Sequence, residues 1–107
     1  MIEVIYYRKH NRVTVTGHAG SAEPGRDLIC ASVSILTMTL AENVKNISNI
    51  GCATEPVTVM QKGKAEIYCK VKTRYKKTVQ QVFMSVCVGF EILANKFPEY
   101  VSYSVLK

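Results

Sequence analysis

The stretch that decides the fold is Thr16-Gly17-His18-Ala19-Gly20-Ser21-Ala22-Glu23-Pro24-Gly25-Arg26-Asp27-Leu28-Ile29-Cys30-Ala31-Ser32-Val33-Ser34-Ile35-Leu36. Three textures follow one another in it. Up to Thr16 the chain alternates, with Val13 and Val15 opposed by Arg12, Thr14 and Thr16, the period of a half-buried strand. Residues 17–25 hold three Gly and one Pro, which no regular element tolerates, so they form a loop. Asp27 then reads as an N-cap, followed by an apolar stripe at helical spacing: Ile29, Val33, Leu36, Leu40, Val44 and Ile47. Asn49-Ile50-Gly51 ends that helix.

Working outward, Ile2, Val4 and Tyr6 alternate with Glu3, Ile5 and Tyr7. With the strand ending at Thr16 they make a hairpin around the polar break Arg8-Lys9-His10-Asn11. Residues 53–61 and 64–72 make a second hairpin around Lys62-Gly63, with Ala65, Ile67, Cys69 and Val71 on its apolar face. A second helix is expected from about Thr78 to Lys96. Its stripe is Val79, Val82, Phe83, Val86, Phe90, Leu93, Ala94 and Phe97, with Pro98 ending it. Residues 100–106 alternate as a last strand. The order ββαββαβ predicts an α+β fold: an antiparallel or mixed sheet with two helices packed on one face. No linker or shift in composition divides the chain, so 1–107 reads as one domain.

Composition narrows the function. At 107 residues and 48% hydrophobic, the chain can bury a core of its own, which excludes a disordered or low-complexity protein. The most apolar run, Leu28 to Ala41, is interrupted by Ser32, Ser34, Thr37 and Thr39, and no membrane association is expected. The start, Met1-Ile2-Glu3-Val4-Ile5-Tyr6, reads as a strand and not a signal peptide, which points to the cytoplasm and to free thiols. The four Cys at 30, 52, 69 and 87 contain no CxxC pair, and with two His they predict no metal site; no cofactor is expected either. Lys and Arg number 14 against 8 Asp and Glu, a net charge of +6 that draws the domain towards polyanions.

The chemistry lies in the opening stretch. With Asp27 as the cap, Cys30 falls in the first helical turn, where unpaired N–H groups and the helix dipole favour a thiolate. His18 leaves the end of a strand into the adjoining Gly-rich loop. Thiol at a helix start and imidazole nearby is the pairing of Cys/His hydrolases, and the same N–H groups suit a developing oxyanion. Read alone, Cys30 has a plainer role as a small core residue, the commoner use of a free Cys. Likewise His18 has a plainer reading as a polar loop residue, Asp27 as a cap and the glycines as turn formers.

Gly17-His18-Ala19-Gly20, followed by Gly25-x-Asp27-x-x-Cys30-Ala31-x-Val33-Ser34, resembles the signature of the ribosomal-processing cysteine protease family, Prp. The resemblance covers residues 16–36 at motif level, and length and element order fit the remainder. It implies a catalytic pair of His18 and Cys30. Asp27 would help to order the site, with Ser34 one turn along the same helix face. Gly17, Gly20, Ser21 and Gly25 would belong to a lid that orders over bound peptide. Two positions depart from the family pattern: Ser21 stands where an aromatic is frequent, and Pro24 is unusual in that loop. The resemblance also implies a substrate, the N-terminal extension of large-subunit ribosomal protein twenty-seven or a related phage virion protein, cut after a Phe-Phe pair. It implies a homodimer as well.

The remaining features read more simply. Cys69 and Cys87 are expected in the core and Cys52 at a loop. Met38, Met60 and Met84 are expected to fill core gaps. His10 reads as part of a solvated turn. Lys62, Lys64, Lys70, Lys72, Arg74, Lys76 and Lys77 form the main basic cluster. It supports an alternative, a non-catalytic basic module binding the ribosome or RNA. A solvated strand face is the preferred reading, because Tyr68 and Tyr75 make no stacking motif in sequence.

Overall fold

A computed structural model describes residues 1–17 and 26–107. Two strands, β1 (Ile2–Tyr7) and β2 (Arg12–Gly17), form the first hairpin, joined by a 3-10 turn at Arg8–His10. Helix α1 (Arg26–Asn49) follows, then β3 (Ala53–Gln61) and β4 (Lys64–Val71). A 3-10 turn at Thr73–Tyr75 leads into α2 (Lys76–Lys96), and β5 (Val101–Leu106) closes the chain. The expected ββαββαβ order is therefore present.

The sheet order is β3-β4-β2-β1-β5. All neighbours are antiparallel except β1 and β5, so the sheet is mixed. Register places Val4 opposite Val15, and Val15 opposite Ala65, so one face collects the apolar residues of every central strand. Ile2, Val4, Tyr6, Val13, Val15, Ala65, Ile67, Cys69 and Val101 are buried there. Onto them pack Ile29, Val33, Leu40, Val44 and Ile47 of α1 and Val79, Phe83, Val86, Cys87 and Phe90 of α2. The two helices meet closely at Gly89, where an added Cβ would fall 2.5 Å from the Leu36 side chain. Tyr6 and Phe83 stack across the layers at 5.9 Å. Burying the Phe83 ring contributes about 2–3 kcal/mol before packing terms.

Edge strand β3 carries Glu55 at φ 50° and a register shift between Thr54 and Val57, a bulge that also accommodates Pro56. Several details differ from expectation. Helix α2 begins at Lys76, after the 3-10 turn. Phe97 lies past the last residue of α2, and its ring leaves the buried stripe and is exposed. Met38, Met60 and Met84 are also exposed: Met38 and Met84 stand on the solvent sides of their helices, and Met60 near the end of an edge strand. Leu28–Asn49 is long and apolar enough to cross a bilayer by length and composition, despite its Ser and Thr. One side of it is nevertheless packed on the sheet, as in a core helix.

Candidate active site

Cys30 is the fifth residue of α1, half-buried, with its side chain against the edge of the core. The helix already includes Arg26 and Asp27, so Asp27 lies within the first turn and not before it. That corrects the capping role expected for Asp27 and sets Cys30 about one turn in from the helix start.

Cys30 opens onto a groove of about 280 Å³ between α1 and one end of the sheet. Val33, Ser34 and Thr37 continue the helix wall. Ile2, Val15, Gly17 and Ala65 form the sheet side, and Met60 to Lys64, the turn between β3 and β4, forms the far rim. Ser34 is exposed and shares the wall with Cys30, as its spacing requires. Thr37 is buried and donates its hydroxyl to the Val33 carbonyl at 2.8 Å, so its polar atom is satisfied within the helix.

Gly17 fixes the other side. It is the last residue of β2, in register with Ile2, and its N–H donates to the Gly63 carbonyl at 3.0 Å. Its φ is +98°, and a Cβ there would stand 2.2 Å from the Met1 carbonyl oxygen, so only glycine fits. Gly17 is thus held in the sheet as the last residue of β2. It lines the same groove as Cys30. His18, Gly20, Ser21 and Gly25 lie outside the described residues, as does the Asp27 side chain.

The other thiols are placed differently. Cys69 is fully buried, and burial pushes its thiol up to about 11. Cys87 is pushed to about 11 by burial as well, opposed by a hydrogen bond with Tyr103. Cys52 is half-buried just before β3. Among the described residues, no group of three His, Cys, Asp or Glu could hold a metal ion. Met60, Lys62, Gly63 and Thr37 join the site without having been singled out for it. The Lys62-Gly63 turn was legible, but its meeting with the end of β2 depends on strand order.

A profile of the family described as cysteine protease Prp matches residues 1–102, nearly the whole chain. The chain belongs to the cysteine protease Prp family. It is therefore a cysteine protease, and the alternative of a non-catalytic basic module is set aside. Among solved structures, SMU.848 from Streptococcus mutans is 28% identical, with 98% of this chain and 91% of that one covered and a TM-score of 0.67. The essential ribosomal processing protease Prp from S. aureus, in complex with a substrate peptide, is 16% identical with a TM-score of 0.69, covering 97% of this chain and 96% of that one. The same S. aureus protease with a covalently linked product peptide gives a TM-score of 0.68 at the same identity and coverage. No curated protein matches the sequence.

Proposed function

We propose that the chain is an endopeptidase in which Cys30 is the nucleophile and His18 its base. Its substrate is the N-terminal extension of large-subunit ribosomal protein twenty-seven or a related phage virion protein, cut after a Phe-Phe pair. The single observation that carries this reading is the position of Cys30: half-buried near the start of α1 and open to a groove, while Cys69 and Cys87 are sealed in the core. Gly17, the residue before His18, lines the same groove, which supports His18 as the partner.

The reaction follows from these parts. His18 takes the Cys30 proton, and the sulfur attacks the scissile carbonyl carbon, forming a C–S bond. N–H groups of the first turn of α1 hold the oxyanion. His18 returns the proton to the leaving amine as the C–N bond breaks, and water hydrolyses the thioester. The apolar sheet side of the groove, Ile2, Val15 and Ala65, suits aromatic side chains next to the cut. The enzyme works in the cytoplasm as a homodimer; the exposed Leu28, Ile35 and Met38 of α1 support a partner surface.

The test is incubation with peptides tiling the N-terminus of that ribosomal protein, read by mass spectrometry. Cleavage after Phe-Phe by the natural chain, and none by Cys30→Ser or His18→Ala, is expected. Cleavage by either variant would refute the pair.

A further inference from the structure

The end of the sheet away from Cys30 is strongly basic. Arg8 and Lys9 lie in the turn after β1, Lys70 near the end of β4, Lys72 and Arg74 in the passage to α2, and Lys76 and Lys77 in its first turn. Arg8, Lys9, Lys76, Lys107 and Gln80 line a groove of about 520 Å³ that has no acidic residue in its wall. Two glutamates lie near this end, and both are committed: Glu66 is paired with Arg12, and Glu55 with Lys70 at 2.8 Å. Glu91 stands further along α2, in a separate groove that Arg8 also borders. Among the described residues, Arg8, Lys9, Lys72, Arg74, Lys76 and Lys77 form no ion pair, so their charge faces outward unbalanced.

Strand register adds a second feature on the sheet face opposite the helices. Val57 pairs with Tyr68, Tyr68 with Arg12, Arg12 with Tyr7, and Tyr7 with Leu106. One row across the sheet therefore carries two tyrosines with an arginine between them. The guanidinium of Arg12 lies 5.2 Å from the centre of the Tyr7 ring. Tyr7 and Tyr68 are partly exposed, and no described element covers that face. In the passage from β4 to α2, Arg74 lies over the Tyr75 ring at 5.5 Å.

We infer that this end of the molecule binds single-stranded nucleic acid, its bases on the Tyr68–Arg12–Tyr7 row and its phosphates along Arg8, Lys9, Lys72, Arg74 and Lys76. Unpaired cations attract any polyanion. Flat rings on an uncovered sheet add what an acidic peptide would not use, a stacking surface for bases. Rings on a sheet reach base faces only when the bases are not stacked in a duplex, which selects single strands. RNA and DNA share both groups. From Ile2, which lines the Cys30 groove, to Tyr7 is about 17 Å along β1, so the two sites are separate.

The experiment is fluorescence anisotropy of the full chain with labelled single-stranded RNA and DNA 12-mers, duplex RNA and poly-glutamate, each over a salt series. Salt-sensitive binding of single strands is expected, in preference to duplex and poly-glutamate. Tyr68→Ala should weaken it roughly tenfold, and Tyr68→Phe should restore it. Lys76→Glu should weaken all sequences alike and flatten the salt dependence by roughly one phosphate contact. Peptide cleavage by these variants should equal that of the natural chain, which shows that they are folded. Absence of salt-sensitive binding overturns the inference. So does poly-glutamate or duplex binding as tight as that of single strands, or indifference to Tyr68→Ala.

Discussion

Cys30 and Cys87 both sit on helices that pack against the same sheet, yet their surroundings differ in almost every respect. Cys87 lies in the middle of α2, 2% exposed, bonded to Tyr103 and pushed up to about 11. Cys69, on the core face of β4, is raised to about the same value by burial alone. Cys30 lies near the start of α1, half-buried, against a groove with room for peptide. Burial keeps a thiol protonated and inaccessible, whereas an open groove admits a substrate to the sulfur. The comparison teaches that position along an element, more than residue type, decides which sulfur can do chemistry.

The sharpest way to break the contrast is to exchange the sulfurs for oxygen. Cys30→Ser should lower peptide cleavage by at least about a thousandfold, while Cys87→Ser should leave the rate per folded molecule unchanged. Rates measured on material verified as folded by circular dichroism check this. Next in size is Gly17→Ala. The new methyl must displace the Met1 backbone next to Ile2 and Gly17 of the groove wall, and kcat/KM should fall roughly a hundredfold. Alkylation of Cys30 by iodoacetamide should be little changed in that variant, because α1 is not touched.

A third prediction concerns accessibility. Timed alkylation with peptide mapping should label Cys30 first and Cys52 after it, with Cys69 and Cys87 protected until the protein is denatured. The smallest effect is on stability against pH. Cys69 and Cys87 hold their protons more tightly in the folded state than the ordinary value of 9.0. The unfolded chain therefore loses those protons first as pH rises. Their contribution is complete below about pH 9 and is lost progressively towards pH 11, where Tyr6, raised to about 12, acts in the same sense. Urea melts at pH 8, 9, 10 and 11 should show falling midpoints, and Cys69→Ala should reduce the slope.

Much of the fold was legible because alternation and helical stripes report burial directly: Val13 with Val15, Ile67 with Cys69, Phe83 with Phe90. The pairing of Cys30 with Ser34 on one wall followed from helical spacing. What could not be read depends on strand order and register. The arrival of the Lys62-Gly63 turn beside Gly17 needs β4 to lie next to β2, and the Tyr68–Arg12–Tyr7 row needs three strands aligned. The exposed Met38, Met60 and Met84 failed the sequence reading for another reason. An apolar side chain states a preference, and a two-layer fold leaves the outer sides of its helices and its edge strand uncovered.

The central claim is tested most directly by trapping the covalent intermediate. Rapid acid quench of the enzyme with a Phe-Phe peptide, followed by digestion and mass spectrometry, should find the N-terminal product fragment as a thioester on the segment containing Cys30. An adduct on Cys52, Cys69 or Cys87 instead, or full turnover with Cys30 unmodified throughout, would contradict it.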